Sequence, residues 1–484
     1  MKRNALVYLL ILIVAGLGLL GLLHAGSGLA PLHTPQAVSP RAAALAHTPA
    51  PSSLSVFEEG LRQRAGEPLS RLFLQLLVII GAARLAGWAF IRLRQQGVIG
   101  EMIAGILLGP SLFGLVAPGA FQFVFPADSL GALQLFSQIG VCLFMFAVGM
   151  ELDVSLLRGK AQTAVVVSHA SIIIPYLLGV ALALLLYRNY AQAGASFTAF
   201  ALFMGISMSI TAFPVLARIL QERNLARTPL GAAAISCAAV DDVTAWTVLA
   251  FVIAVVRAAS IATVGGILVL VALFVAIMLG VVKPRLPLWL GGPAALERAE
   301  PGRGLLAAVI LIVLVSSLAT ELIGIHALFG AFLAGVIMPS VGDFRHKLSM
   351  RVESLSSVLL LPLFFAFTGL RTQIGLLHDA AGWFTCLSII LVATMGKLGG
   401  STIAARLTGM GWNESLQLGA LMNTRGLMEL IAINIGYDLG ILSPQIFTML
   451  VIMALATTAM TGPLLTVFGP RRQFPRTVLK SAPV

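Results

Sequence analysis

The chain has 484 residues, of which 58% are apolar and only 10% are charged, and its formal net charge is +12. Soluble domains carry about 25% charged residues. A chain with so little charge could not cover the surface of soluble domains, so the composition excludes a soluble protein and indicates a polytopic membrane protein. The basic excess would also fit a nucleic acid partner, and that alternative depends on where the basic residues lie.

Two basic residues near the N-terminus, Lys2 and Arg3, precede a long apolar stretch, Ala5–Leu23. This stretch is longer than the roughly 7–15 residues of a signal-peptide core. Residues 1–23 are therefore predicted to be either a signal peptide or a retained signal anchor. Residues 24–69 are rich in Pro, Ala and Ser and are predicted to form an extracytoplasmic linker.

The rest of the chain is dominated by apolar segments long enough to cross a bilayer, which takes about 20 residues each. Residues 70–468 are predicted to form an all-α transmembrane domain of about thirteen helices, followed by a short cytoplasmic tail at 469–484. The eighth and ninth spans are separated only by Gly324, Ile325 and His326. The predicted spans are 70–91, 98–116, 131–150, 162–187, 197–220, 229–256, 261–282, 304–323, 326–341, 354–370, 382–406, 415–436 and 446–468.

The basic residues alternate between the two sides of these spans. With a cytoplasmic N-terminus, 20 of the 31 Lys and Arg residues fall on the cytoplasmic side and only six on the other. Cytoplasmic loops of membrane proteins carry such an excess. The charge therefore records topology, and no nucleic acid partner is predicted. We expect a multi-pass protein of the inner (plasma) membrane with a cytoplasmic C-terminus.

Thirteen spans divide into six, one linking helix and six, which gives the two halves opposite orientations, as in secondary transporters. Two spans at matching positions are interrupted. In the fifth, Pro214 breaks the helix after three hydroxyl residues, Ser207, Ser209 and Thr211. In the twelfth, Gly426 lies within a polar cluster. A single interruption would fit a packing kink, but two at related positions favour two crossing broken helices in an inverted repeat.

Five charged residues lie near the middle of predicted spans, where each costs about 2.5–3.5 kcal/mol on insertion scales. They are Asp241, Asp242, Lys397, Arg425 and Glu429. Arg425 and Glu429 have the i, i+4 spacing of a helical pair. If Lys397 pairs with one aspartate, one carboxylate stays uncompensated and must hold a proton or a cation. The alternative is an Asp–Lys pair with a purely structural role.

The oxygen groups around the fifth-span break suit a hard monovalent cation. Hydroxyls such as those of Ser209 and Thr211, freed backbone carbonyls and a carboxylate are the ligands such cations take. Competition between a proton and a cation for one carboxylate is what an antiporter needs. The sequence predicts no cofactor and no metal beyond the transported cation.

Six segments, in order, resemble the monovalent cation:proton antiporter-2 family, and most closely its plant cation/H⁺ exchanger branch and bacterial relatives. The resemblance covers about residues 70–468. Six such motifs in sequence are much more specific than any one of them. The segments are VIGEMIAGILLGPS at 98–111, FMFAVGMELD at 144–153, SMSITAFPVLARIL at 207–220, AVDDVTAW at 239–246, GIHALFGAFLAG at 324–335 and LMNTRGLMEL at 421–430.

The resemblance implies a homodimeric antiporter in which a core domain moves against a dimerisation domain, exchanging Na⁺ or K⁺ for H⁺. It implies that Asp242 is the essential cation- and proton-binding carboxylate and that Asp241 occupies the variable position before it. Lys397 matches the family's intramembrane lysine, and Thr211 lies where the broken helices cross. The sensing domains and long tails that follow the membrane domain in some relatives have no counterpart in this sequence, so regulation through them is not expected.

Three other functions are alternatives to antiport. A cation channel or a sodium-coupled solute symporter could use the same fold, because a fold does not fix a function. An intramembrane aspartyl protease needs two carboxylates that face each other. Asp241 and Asp242 are adjacent on one helix and point about 100° apart, so the sequence argues against an enzyme.

Overall fold

A computed structural model describes residues 66–93, 95–151, 161–225, 228–257, 261–292 and 302–469, together with residues 18, 21, 64 and 296. The predicted signal segment or anchor (1–23), most of the linker (24–69) and all but the first residue of the tail (469–484) lie outside these ranges. Those three assignments stay predictions.

The described residues form helices joined by short connections and contain no β-strand, only an isolated bridge between Ala191 and Leu442. Single π-helical turns lie at Met278–Val282, Ser356–Leu360 and Met395–Gly399. The helices are α1 Pro68–Arg92, α2 Gly97–Leu108, α3 Phe113–Val116, α4 Pro118–Val124, α5 Leu130–Glu151, α6 Ala161–Tyr190, α7 Phe197–Ser209, α8 Phe213–Glu222, α9 Pro229–Arg257, α10 Ile261–Ile277, α11 Lys283–Trp289, α12 Arg303–Ile323, α13 Ala327–Val336, α14 Phe344–Leu355, α15 Leu361–Arg371, α16 Ala380–Thr394, α17 Gly400–Leu407, α18 Trp412–Met422, α19 Leu427–Asp438 and α20 Pro444–Phe468.

Eleven segments of the described chain are long and apolar enough to cross a membrane. The predicted all-helical membrane protein is thus confirmed, while the ninth predicted span, 326–341, is too long. There the structure has only the ten residues of α13, about 15 Å of helix against a hydrocarbon core of about 30 Å. Pro339 follows closely and disfavours helix in the residue before it. The apolar stretch therefore continues beyond the end of α13.

Local sequence fixes several helix starts. The side chains of Ser196, Asp379 and Ser443 each accept a hydrogen bond from a backbone N–H in the first turn of α7, α16 and α20. Such caps satisfy one of the four N–H groups that a helix start leaves unpaired. The caps therefore fix where α7, α16 and α20 begin.

The helices pack as two groups. The core group consists of α6–α9 and α16–α20, in which α6 contacts α7, α9 and α17, and α20 contacts α16 and α18. The scaffold group consists of α1, α2, α5 and α12–α15, in which α2 and α5 both pack against α15. The long segment made of α10 and α11 connects the two groups and packs loosely, with only 6% of its most apolar window buried.

Glycines allow the closest approach within the scaffold group. A Cβ on Gly149 of α5 would lie 2.2 Å from the Phe332 carbonyl oxygen, and one on Gly335 of α13 would lie 2.1 Å from the Phe146 carbonyl oxygen. Small residues let helix backbones meet in membranes, where there is no hydrophobic force to press helices together. The scaffold is therefore tightly joined, and the site lies in the other group.

Candidate functional site

The first interruption in the core group lies between α7 and α8. Residues 210–212 are extended, with Ile210 at φ −72° and ψ 136°, and the chain becomes helical again at Phe213. Pro214 lies in the first turn of α8, where a missing N–H costs nothing and a fixed φ favours the helix. One apolar segment is thereby divided into two half-helices whose ends meet inside the protein.

The second interruption, at residues 423–426, separates α18 from α19 and crosses the first. The Ala212 N–H donates to the Thr424 carbonyl at 3.0 Å, and the Thr211 hydroxyl donates to the Met422 carbonyl at 3.1 Å. A Cβ on Gly426 would lie 2.9 Å from Val215 Cγ2. Gly426 therefore lets the second break lie against the first turn of α8.

Lys397 and Asp241 form a fully buried ion pair beside this crossing. Lys397 lies in the π-helical turn between α16 and α17, with its Nζ 3.0 Å from Asp241 Oδ2. Asp241 also accepts hydrogen bonds from the Ser171 hydroxyl at 2.8 Å and the Ser168 hydroxyl at 3.3 Å. Lys397 donates in addition to the carbonyls of Ser171, at 3.1 Å, and Ser209. The charge of Asp241 is thus compensated and hydrogen-bonded.

Arg425 forms the second buried pair and also caps α7. Its Nη1 lies 3.1 Å from Glu429 Oε2, and both residues are fully buried. Its Nη1 and Nη2 donate to the carbonyls of Ser207 at 2.8 Å and Met208 at 2.5 Å. Together with the Lys397 contact to Ser209, two cations therefore bind three successive carbonyls at the C-terminal end of α7, where the helix dipole is negative.

Asp242 is the carboxylate left over. Only 3% of its surface is exposed, and among the described residues no basic side chain pairs with it and its Oδ1 has no hydrogen-bond partner. The backbone N–H of Phe213, at the positive N-terminal end of α8, hydrogen bonds the carboxylate. Beside Asp242 lies a cavity of about 10 Å³, about the room of one water molecule. Its lining residues are Ile210, Asp242, Ala245, Trp246, Leu249 and Met428.

The structure thus brings all the candidate residues from the sequence into one buried cluster around the crossing. Within the cluster their interaction partners differ. Asp241, Lys397, Arg425 and Glu429 form the two ion pairs, and Asp242 stands alone. The hydroxyl of Ser209 donates to the Ile206 carbonyl at 3.0 Å, so it is its carbonyl that serves Lys397. The cluster has three carboxylates and two cations.

Some residues of the cluster were missed by the sequence analysis. Ser168 and Ser171 lie on α6, and their i, i+3 spacing in an apolar span was a signal that they share a face. The Thr458 hydroxyl lies 2.7 Å from the Arg425 carbonyl and accepts from its N–H at 3.0 Å, supporting the second break. Asn423, in the second break, is buried with both amide atoms lacking a hydrogen-bond partner in the described part of the chain.

A comparison with known protein families agrees with this geometry of two crossing broken helices. The match extends over most of the chain. The family model described as the transmembrane region of sodium/hydrogen exchangers matches residues 79–468. The chain belongs to the sodium/hydrogen exchanger family. This is a family of transporters, not of enzymes, and the resemblance found in the sequence is confirmed.

Several curated members of the exchanger family are similar to this chain. The Na⁺/H⁺ antiporter NhaS4 of Synechocystis sp. is 42% identical over 396 residues, which cover 82% of this chain and 96% of that protein. Cation/H⁺ antiporter 17 of Arabidopsis thaliana is 40% identical over 86% of this chain and 50% of that protein. K⁺/H⁺ antiporter 1 of Saccharomyces cerevisiae is 32% identical over 83% and 47%. This exchanger-family chain thus spans about half the length of the plant and yeast relatives.

A solved structure supports the fold of this exchanger-family chain. The sodium proton antiporter MjNhaP1 from Methanocaldococcus jannaschii, at pH 8, aligns with a TM-score of 0.53 over 82% of this chain and 97% of that one. The two sequences are only 16% identical. The likeness therefore concerns the arrangement of the helices.

Proposed function

We propose that this protein is a secondary antiporter that exchanges a monovalent cation, Na⁺ or K⁺, for protons by alternating access, with both ions competing for Asp242. The observation that carries the proposal is the lone carboxylate. Asp241 and Glu429 have their cations, whereas Asp242 is buried with none among the described residues. A bare charge in such a place is expensive, so Asp242 must hold either a proton or a cation. The names of the relatives, Na⁺/H⁺ and K⁺/H⁺ antiporters, support the same exchange.

The other candidate residues have supporting roles in this proposal. Lys397 and Arg425 hold the end of α7 and pair with Asp241 and Glu429, so that the proton and the cation are directed to Asp242. Thr211 fixes the crossing through its bond to the Met422 carbonyl. The carbonyls and hydroxyls of the first break, Ser209 and Thr211 included, are candidate oxygen ligands for a cation that has lost its water.

We propose thirteen spans in two inverted repeats of six around the linking segment of α10 and α11. The eleven long segments become thirteen with the short helix α13 and the interrupted pair α18 and α19. The two interrupted helices are then the fifth and the twelfth. Being seven apart, they run in opposite directions through the bilayer, which suits half-helix ends that meet at its middle.

We further propose a homodimer in the plasma membrane with a cytoplasmic C-terminus, residues 70–468 forming the transport domain. The core group would move against the scaffold group. Polar contacts cross between the groups on the side that the basic residues assign to the exterior: Arg371 of α15 lies 2.6 Å from Asp438 of α19, and Asn434 donates to Thr368 at 2.9 Å. Alternating access requires these contacts to break when Asp242 is exposed to that side.

The test is the dissipation of a pH gradient in proteoliposomes containing the full chain, with Na⁺, K⁺ and Li⁺ added separately. Wild type is expected to respond to Na⁺ or K⁺, and Asp242→Asn to lose the response. The matched control is Asp128→Asn, which removes an exposed carboxylate paired with Arg71 at 3.3 Å and is expected to keep it.

Three outcomes would contradict antiport at Asp242. Exchange by Asp242→Asn at the wild-type rate would remove the proposed site. Cation flux that is uncoupled from the pH gradient would mean a channel. Na⁺ movement that requires an organic solute would mean a symporter.

A further inference from the structure

A large cavity lies apart from Asp242, between α9 and the linking segment of α10 and α11. Its volume is about 960 Å³ and α12 and α13 close its far side. On α10 and α11 the lining residues repeat along one face: Leu268, Val271, Val275, Leu279 and Lys283. On α9 the exposed lining positions Val243, Thr247 and Phe251 repeat every fourth residue. The cavity is therefore a groove between two helix faces.

The groove is apolar even where its residues are not. Thr244 and Thr247 donate their hydroxyls to the carbonyls of Val240 and Val243 at 2.8 and 2.7 Å, and Thr320 donates to the Ser317 carbonyl at 3.0 Å. The donors of these three hydroxyls are therefore engaged within their own helices. Walls with so few polar groups favour hydrocarbon over a charged ion.

The apolar side chains that line the groove favour a hydrocarbon occupant. Val243, Phe251, Leu268 and Leu279 line the groove, and each has 37–45% of its surface exposed. Apolar surface of this extent is unfavourable against water. It lies on membrane-spanning helices, where the surrounding medium is lipid.

The one charged lining residue lies at the end of the apolar face. Lys283 begins α11 and is exposed. From Leu268 to Lys283 the helix rises about 22 Å, enough to extend across the hydrocarbon of one leaflet, which is half of a core about 30 Å thick. A lipid whose acyl chain follows the groove from the middle of the bilayer would therefore have its headgroup at Lys283.

We propose that this groove binds an anionic phospholipid of the surrounding bilayer, with an acyl chain between α9 and α10 and the phosphate at Lys283. The site also borders the ion site. Trp246 lines both the groove and the cavity beside Asp242, and its indole packs against Phe329 and Phe332 with centroids 5.1 and 6.4 Å apart. The proposed lipid site and the pocket of the lone carboxylate thus share Trp246 as a lining residue.

Native mass spectrometry of the delipidated full chain tests this without measuring transport. Phosphatidylglycerol is expected to bind about fivefold more tightly than phosphatidylcholine, the effect of one basic residue near an anionic headgroup. Lys283→Gln is expected to abolish that preference, whereas Arg285→Gln, two positions along the same helix and outside the groove, keeps it. Lys283 is exposed, so its replacement leaves the fold intact.

A second pair of variants tests the acyl chain. Val271→Trp fills the groove and is expected to lower the binding of both lipids, whereas Val269→Trp, at an exposed position outside the groove, leaves binding unchanged. Equal lipid binding by these two variants would overturn the proposal, and so would an equal loss of preference in Lys283→Gln and Arg285→Gln. The lipid proposal would also be overturned if Val271→Trp abolished dimer formation but left lipid binding unchanged. A second copy of the chain, and not a lipid, would then occupy the groove.

Discussion

Lys397 lies 3.0 Å from Asp241 and leaves Asp242, the next residue on the same helix, without a basic partner among the described residues. Adjacent positions on a helix point about 100° apart, so α9 offers one carboxylate to α6 and the lysine, and the other to the crossing of the broken helices. Two residues of one type thereby have different surroundings, and the proposed competition between ions concerns only one of them.

The first prediction concerns pH. If a proton and a cation compete for Asp242, each lowers the apparent affinity of the other. We expect the cation concentration for half-maximal exchange to rise as the pH falls, by up to about tenfold per pH unit where Asp242 is mostly protonated, while the maximal rate at saturating cation changes much less. Initial rates in proteoliposomes at several pH values measure this. A half-maximal concentration that is constant across pH would contradict direct competition.

The second prediction concerns the Lys397–Asp241 pair. Removing one partner of a buried ion pair costs about 3–5 kcal/mol, because the other charge stays buried and unpaired. We expect Asp241→Asn and Lys397→Met each to lower the thermal stability of the full chain strongly, and the double variant to be more stable than either. Thermal unfolding in detergent with lipid measures the three. Additive losses in the double variant would show that the pair is not coupled.

Electrogenicity can be measured with the same variants. If Asp241 gives up a proton when Lys397 changes partner, two protons move for each cation and a membrane potential drives exchange. We then expect Asp241→Asn to abolish the response to an imposed potential while a pH-driven exchange remains. Wild-type exchange that ignores the potential would leave Asp241 a structural role.

The sequence was most informative about residues that a membrane rarely tolerates. Charges at mid-span are costly, so Asp241, Asp242, Lys397, Arg425 and Glu429 could be recognised in a chain with 10% charged residues. Helix geometry could suggest the Arg425–Glu429 spacing, but it could not decide which aspartate faces Lys397. That choice depends on the π-helical turn at Met395–Gly399 and on serines from α6, both of which are products of tertiary packing.

The arginine at the crossing was less predictable. Pairing with Glu429 accounts for its charge, but its contacts with the Ser207 and Met208 carbonyls come from a helix more than 200 residues away. Hydropathy likewise overestimated the ninth span, because it registers apolar residues and not the point at which Pro339 ends a helix. The groove beside Lys283 had no signal in the sequence, since an apolar face towards a lipid and one towards a neighbouring helix have the same composition.

The fourth prediction concerns the contact between the two breaks. A Cβ at Gly426 would lie 2.9 Å from Val215 Cγ2 and 3.3 Å from Ala212 Cβ. We expect Gly426→Ala to destabilise the chain by about 1–3 kcal/mol through overpacking and to lower the exchange rate. Val215→Ala removes the nearer atom, so the double variant Gly426→Ala/Val215→Ala is expected to recover part of both. Gly265→Ala, where a Cβ meets nothing within 4 Å, is the matched control. No recovery in the double variant would contradict the steric explanation.

The last prediction concerns the contacts between the core and scaffold groups at Arg371. Its guanidinium lies 2.6 Å from Asp438, donates to Asn434 at 3.0 Å and stacks 4.1 Å from the Phe367 ring centroid. A partly exposed ion pair contributes up to about 1 kcal/mol. Asp438→Asn is therefore expected to shift the population towards the state open at this side by about fivefold.

Labelling from outside with a membrane-impermeant maleimide measures that shift, in a chain whose three native cysteines are replaced by alanine. Ile431→Cys reports on the passage, because Ile431 lines a cavity of about 30 Å³ that also includes Asp438. The control is Ile433→Cys, because Ile433 is fully buried elsewhere on α19. Asp128→Asn breaks an ion pair within the scaffold group and should leave labelling of Ile431→Cys unchanged. If the pair holds the two groups together, removing it must make their separation more frequent and increase labelling of Ile431→Cys. Equal labelling with and without Asp438→Asn would therefore mean that the pair does not restrain the movement.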